Sequence, residues 1–498
     1  MSSDRKLSSP PFITVSLESS DVPIYRQVYE TLRRAILSGG LAAGAQLPST
    51  RSLAIQLAIS RMTVVNAYEQ LFAEGYIEGV SGSGTYVASV LPEEFLEIKD
   101  RKRRGGRFEG KTQTTLSRRG RLLASFDHAY LRARTDARFS AFHYGLPAME
   151  AFPFDVWSRL ASRRLQKMSV SLFGSGNPLG YDPLRRAVAA YLQTSRAVRC
   201  SPEQVIICAG AQQALSLAAQ ILIDEKTIVW TEDPCYLGSR NAFAAAGARI
   251  VPIPVDREGF DLGFALKKNK TARLVCVTPS HQFPLGIVMS LARRLALIEW
   301  ARANEAWIVE DDYDSEFRYA GRPLASLQGL DNSGRVIYVG TFSKTIFPAL
   351  RLGYMVVPEN LIDVFAAARA LSDSHSPSID QAILTDFIEA GHFSRHIRRM
   401  RALYAERQAA LVAAANQDLA GLLDVPSDEA GMHLIGWLPE NVCDRTASEK
   451  AREYGIETRP LSAYCSKPQP QGGLILGYTA FSPGQIRNGV ERLSRALI

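Results

Sequence analysis

The sequence predicts an α/β protein in three parts: an N-terminal winged helix-turn-helix, a mostly parallel sheet between helices, and a smaller C-terminal α+β subdomain. Three observations carry this. Between about residues 200 and 345, short apolar runs alternate with helical stretches, the pattern of strands joined by crossover helices. Residues 48–87 hold two short helical segments with a tight turn between them, then a glycine-rich hairpin. Beyond residue 390 a long helical stretch is followed by two separate apolar runs. A chain of 498 residues exceeds the roughly 250–300 at which a single core stops growing, so more than one unit is expected. At 46% hydrophobic and 22% charged residues, it has the apolar content to fill them.

The elements follow in order. In "VPIYRQVYETLRRAILSGG", Ile24, Val28, Leu32 and Ile36 share a helical face that Gly39 and Gly40 end. Pro48 and Ser49 open a short helix to about Leu57, Ser60 lies in the turn, and a longer helix runs from about Arg61 to Glu74. "SGSGTYV" supplies the wing, which closes a unit over residues 20–90. Residues 91–135 read as a basic linker with some helix at "LPEEFLEIKDRKRR". Lys99 to Arg121 contains ten basic and two acidic residues, which is the whole of the net charge of +8; the rest balances at 48 against 48. Such a run is ordinarily a solvated link, and a neighbouring DNA reader gives it a second use. The remainder, 136–498, has strands at 204–210, 227–233, 273–279, 306–312 and 335–341, with helices such as "GAQQALSLAAQILI" between them. The C-terminal part has one long helix, "HFSRHIRRMRALYAERQAALVAAAN", and strands in "GMHLIGWLP" and "GLILGYTAF".

Six cysteines are scattered without a CxxC pair or a Cys/His cluster at metal spacing, which points to a reducing compartment and no metal. "MSSDRKLSSPPF" lacks the apolar core of a signal peptide, and no run reaches the ~20 apolar residues of a membrane span. The expectation is a cytoplasmic protein with no membrane contact.

In the first unit, the second helix of a helix-turn-helix enters the major groove by its N-terminal residues, where Arg61 and Thr63 stand. Arg61 suits bidentate contact to guanine and Arg51 suits phosphate, while Gly82 and Gly84 let the wing backbone approach closely. Alone, each arginine reads as a solvated helix end. Together, "LPSTRSLAIQLAISRMTVVNAYEQLFAEGYIE" and "GSGTYV" resemble the winged helix of the GntR family. That resemblance implies operator DNA as a partner, contacted by Arg51, Ser60, Arg61, Thr63 and Gly84.

In the large unit, a parallel sheet would open the C-terminal ends of "AWIVEDD" and "RVIYVGT" on one edge, where open α/β sheets bind ligands. Lys344, Thr341, Ser343, Arg351, Asp311 and Tyr313 gather there: an amine for an aldehyde, an acid for a pyridinium nitrogen, and hydroxyls with an arginine for a phosphate. Residues from about 140 onward resemble a type I aminotransferase domain. Its fusion to a GntR winged helix is the architecture of the MocR/GabR transcriptional regulators. The resemblance implies the fold of type I transferases that use pyridoxal 5′-phosphate. It assigns the aldehyde-binding, catalytic lysine to Lys344, the pyridinium partner to Asp311, the O3′ donor to Tyr313 and the stacking ring to Tyr236. The phosphate ligands fall on Thr341, Ser343, Arg351, and Ala211 and Gln212 at a helix N-terminus. It also implies a homodimer that reads two half-sites.

Departures from the wider aminotransferase pattern matter as much. Phe283 stands where many aminotransferases have an O3′-binding asparagine, leaving that bond to His281 or Gln282, or His281 to a structural role. Ser175 takes the place of a tyrosine that reaches the neighbouring subunit, and Ile475 that of the arginine that grips a substrate carboxylate. Either the ligand is not an ordinary α-amino acid, or another arginine serves, with Arg459 as the candidate and an exposed strand end as its other reading. The function implied is a regulator that senses a small amine or amino acid through external aldimine formation at Lys344. The alternatives are an active aminotransferase with an accessory DNA-binding domain, and a regulator that senses pyridoxal phosphate itself.

Overall fold

The computed structural model describes residues 22–80, 83–91, 116–126, 141–167, 170–268, 271–321 and 324–498. The chain divides into two compact units, residues 1–114 and 115–498. The expected helix in "LPEEFLEIKDRKRR" and the wing residue Gly82 lie outside the described residues.

In the first unit, α1 (Ile24–Leu37) buries Val28, Tyr29, Leu32 and Ile36, the stripe its 3.6-residue spacing requires. Helices α2 (Thr50–Leu57) and α3 (Arg61–Ala73) are joined by three residues, and Ala58 makes the turn in the left-handed region at φ 55°. Both start on serine caps: Ser49 accepts from the Ser52 amide at 3.1 Å, and Ser60 from the Thr63 amide at 3.2 Å. Each cap stabilises its helix by about 1 kcal/mol. The buried Tyr68 hydroxyl donates to the Pro48 carbonyl at 2.8 Å, fixing the α2–α3 angle. The wing strands β2 (Ile77–Val80) and β3 (Gly84–Val87) pair antiparallel, and β3 also pairs with β1 (Gln46–Leu47), a two-residue strand too short to leave a pattern.

The second unit is built on an eight-stranded sheet, and all five strands expected from apolar runs are there: β4 (Val205–Cys208), β5 (Ile228–Asp233), β8 (Leu274–Val277), β9 (Trp307–Asp312) and β10 (Val336–Thr341). Three more complete it: β6 (Arg249–Asp256), β7 (Gly259–Phe260) and β11 (Gly353–Val356). The order is β4-β11-β10-β9-β8-β5-β6-β7, parallel from β10 to β6, with β11 antiparallel to both neighbours and β7 an antiparallel edge. Burial on both faces explains the continuous apolar runs. β6 carries Pro252 and Pro254 and is covered on its outer side only by two-residue β7, so missing amides there cost few ladder bonds. Residues 118–124, within the expected linker, form a helix in this unit.

The helix His392–Asp418 runs under the C-terminal subdomain, whose sheet is antiparallel in the order β12 (His433–Trp437), β14 (Gly473–Gly477), β13 (Arg459–Pro460). Among the described residues, no helix is long and apolar enough to cross a membrane.

Candidate functional site

The parallel register sets Asp311 beside Val339 and Asp312 beside Gly340, so the carboxyl ends of β9 and β10 share an edge. Antiparallel β11 returns the chain so that Gly353 faces Cys208 at the end of β4. This brings Arg351 to the N-terminus of the helix Ala211–Leu222, where the Arg351 guanidinium donates to the Ala209 carbonyl at 2.7 Å. Arg351 is itself left-handed at φ 51°, a conformation that costs on the order of 1 kcal/mol for a side-chain-bearing residue. A Cβ on Gly353 would lie 2.8 Å from the Gly210 Cα, so this crossing needs glycine.

One cleft results, and it gathers all nine residues expected around a cofactor: Lys344, Asp311, Tyr313, Tyr236, Thr341, Ser343, Arg351, Ala211 and Gln212. Its lining also includes Phe283, expected at the position of an O3′-binding asparagine, and Tyr144, Gly145, Thr278, Met432 and His433, which the sequence reading did not assign to it. Lys344 Nζ donates to the Gly145 carbonyl at 2.7 Å. Gly145 has φ 75°, and a Cβ there would lie 2.5 Å from that nitrogen. The glycine in "HYGLP" was the available signal. Gly238 has a similar role under Tyr236, where a Cβ would lie 2.3 Å from the ring.

Electrostatics divide the cleft into two sides. Asp311 is buried, and its Oδ1 has no hydrogen-bond partner among the described residues. Burial, then Asp312 and Asp314, push its carboxyl up to about 7, and Lys344 pulls against them. Ser343 Oγ is likewise buried without a partner. The helix Ala211–Leu222 begins at Gly210 with no side-chain cap, so its first amides face the cleft unsatisfied by a side chain.

Behind Tyr313 lies a charged relay. His281 Nδ1 is 3.0 Å from the Tyr313 hydroxyl and 3.0 Å from Asp314 Oδ2, and Nε2 is 3.6 Å from Asp428. Burial alone would depress the imidazole, but Asp314 and Asp428 outweigh it and hold the group up to about 10. A charged ring only donates, so the Tyr313 hydroxyl accepts from it and its own proton is shared with Asp314. Burial, followed by Asp314 and Asp311, keeps that phenol well above its ordinary range.

The other expected residues stand outside the cleft lining. His281 lies behind it, bonded to Tyr313 and with its ring 5.9 Å from that of His433. Gln282 donates to the Pro234 and Phe283 carbonyls at 2.8 and 2.7 Å and so is committed elsewhere. Arg459, on β13 opposite Ile475, donates to Glu457 at 3.1 Å, and Ser175 is exposed. In the first unit Arg51 and Arg61 are exposed at the starts of α2 and α3. Ser60 and Thr63 are tied to each other, hydroxyl to hydroxyl at 2.9 Å. Gly84 opens β3 at φ 123°, where a Cβ would meet the Gln46 amide at 2.9 Å.

Comparison with known proteins agrees with both units. Residues 146–493 match the family "Aminotransferase class I and II", and residues 24–87 match "Bacterial regulatory proteins, gntR family". The chain is 44% identical, over 96% of its length and 94% of the relative's, to the probable rhizopine catabolism regulatory protein MocR of Rhizobium meliloti. It is 30% identical, over 96% and 97%, to the pyridoxine biosynthesis transcriptional regulator PdxR of Corynebacterium glutamicum. Among solved structures it resembles the α-aminoadipate aminotransferase LysN of Thermus thermophilus, complexed with N-(5′-phosphopyridoxyl)-L-leucine. There the identity is 28% and the TM-score 0.70, over 76% of this chain and 96% of that one. The chain belongs to the aminotransferase class I and II family and, with its gntR segment, to the MocR-type transcriptional regulators. It is a DNA-binding regulator whose aminotransferase-like domain takes pyridoxal 5′-phosphate.

The cleft fits that group. A buried carboxylate oxygen without a partner suits a pyridinium nitrogen, and an uncapped helix N-terminus beside Arg351 and Ser343 suits a phosphate.

Proposed function

We propose that the protein regulates transcription by letting a small amine or amino acid compete with Lys344 in this cleft. Pyridoxal phosphate, when bound, supplies an aldehyde that condenses reversibly with primary amines. The observation that carries the reading is Lys344 Nζ in a cleft with one buried, partnerless carboxylate oxygen and an uncapped helix start. Thr341, Ser343, Arg351, Ala211 and Gln212 hold the phosphate end, Asp311 the ring nitrogen, Tyr236 the ring face and Tyr313 the O3′ oxygen. Once displaced, the Lys344 ammonium has the Gly145 carbonyl at 2.7 Å as its resting partner. Contacts made by the new guest then bias the domain between two states, by no more than its difference in affinity for them.

In this reading residues 20–90 read the operator through Arg51, Arg61, Thr63, the capped turn at Ser60 and the wing at Gly84, and residues 91–135 connect them to residues 136–498. The protein works in the cytoplasm as a homodimer on two half-sites. The test follows the visible spectrum of the cofactor-loaded protein and its binding to DNA while amines are titrated. Expected are a spectral change with altered DNA binding and no keto-acid product, and in Lys344→Ala a different spectral response, because no lysine competes for the aldehyde. Turnover to a keto acid, or an unchanged response in Lys344→Ala, would overturn the proposal.

A further inference from the structure

The cleft has two cations among its lining residues, and the cofactor end uses both. Lys344 is the amine that a guest replaces, and Arg351 sits at the helix start with its guanidinium on the Ala209 carbonyl. The remaining wall is uncharged. Phe283 packs edge-on against His433 and Tyr464 at ring-centroid distances of 5.4 and 5.3 Å, and Tyr144 leans on Phe283 at 5.8 Å. The Tyr144 and Tyr464 hydroxyls share a 2.7 Å hydrogen bond. Behind them Ile475 is fully buried in the same cluster. His433 adds no charge: burial, and then the neighbouring His281 cation, push its imidazole down to about 3, and its Nε2 is bonded to the Pro284 carbonyl at 2.9 Å.

Nor does the neighbouring strand supply a cation. Arg459, on β13, pairs directly with Ile475 on β14, but its guanidinium is held by Glu457 at 3.1 Å, and the other Glu457 oxygen is 2.9 Å from His143. Arg459 lies outside the residues that line the cleft. A carboxylate brought against this wall would lose water without gaining a cationic partner, whereas an uncharged body meets aromatic faces.

We propose that the regulator's guest is a primary amine that carries no acidic group, set against the Tyr144–Phe283 wall. This rests on the reading that an amine competes with Lys344, and it names the chemical class that the wall selects.

The test uses matched pairs that differ by one carboxylate: phenethylamine against L-phenylalanine, isobutylamine against L-valine, and ethanolamine against L-serine. Each is titrated into the full-length, cofactor-loaded protein, with the half-saturating concentration read from the cofactor's absorption spectrum. The expected result is that each amine acts at a concentration at least about 30-fold below that of its amino acid, equivalent to about 2 kcal/mol. Equal or tighter action by the amino acids overturns this inference and leaves the Lys344 reading standing. No spectral response to any of the six overturns that reading, and this inference falls with it. Ile475→Arg gives the wall the missing cation. If the variant retains its cofactor spectrum, the gap within each pair should close, and an unchanged gap counts against the proposal. If it does not fold, the wild-type pairs decide.

Discussion

Asp311→Asn should shift the stability of the cofactor-free protein, relative to wild type, in the variant's favour as pH rises. The wild-type carboxyl titrates at about 7 in the fold, against an ordinary value of 3.8. Below the ordinary value, folded and unfolded chains both hold the proton, and the group has no effect on their balance. Between the two values the folded chain holds more protons, so stability falls as pH rises and levels off above about 7. At 1.36 kcal/mol per unit, the cost is about 2 kcal/mol at pH 5 and about 4 at pH 8, a swing of roughly 2–3 kcal/mol. Asparagine has no proton to lose and removes the swing, whatever constant offset its amide introduces. Urea unfolding of both cofactor-free proteins at pH 5 and pH 8 measures it. A stability difference that does not change between those pH values would refute the argument that Asp311 is an uncompensated buried acid. With cofactor bound the sign should reverse, because asparagine cannot balance a pyridinium charge: affinity should drop at least about tenfold.

Three further outcomes are expected. Arg196→Met strips Asp312 of an ion pair at 2.8 Å in which both side chains are at most 5% exposed; unfolding free energy should fall by about 3–5 kcal/mol, and Arg196→Met with Asp312→Leu should recover part of it in the same urea assay. Gly145→Ala places a Cβ 2.5 Å from Lys344 Nζ at φ 75°, so cofactor retention through gel filtration should drop while the first unit's DNA binding persists. Arg61→Ala should weaken binding, by about 1–3 kcal/mol, to duplexes that the wild-type protein selects from a random pool, with the cofactor spectrum unchanged.

The sheet was legible where its strands are buried on both faces, because "TIVWTED" and "AWIVEDD" then need unbroken apolar character. β6 was hidden by Pro252 and Pro254, which ordinarily argue against a strand. β11 was hidden because "GYMV" directly follows the lysine–arginine motif and reads as its tail. In the cleft, side chains on β9 and on the β10–β11 connection could be placed from strand ends alone. Tyr144, Met432 and His433 come from the start of the second unit and from its C-terminal subdomain, so only the closed fold brings them to Lys344. Arg459 shows a different limit. Its position opposite Ile475 follows from strand pairing, but the direction of its side chain is set by Glu457 two residues away.

β10 and β11 lie side by side in opposite directions, so the chain between Thr341 and Gly353 leaves and re-enters the sheet at one edge. Lys344 and Arg351 both ride on that excursion, one facing the Gly145 carbonyl and the other the start of a helix. A molecule moored at both points stays moored when a guest unties only the first. Such a device forgets each visitor as it leaves, and its output follows the concentration of the moment rather than the history of exposure.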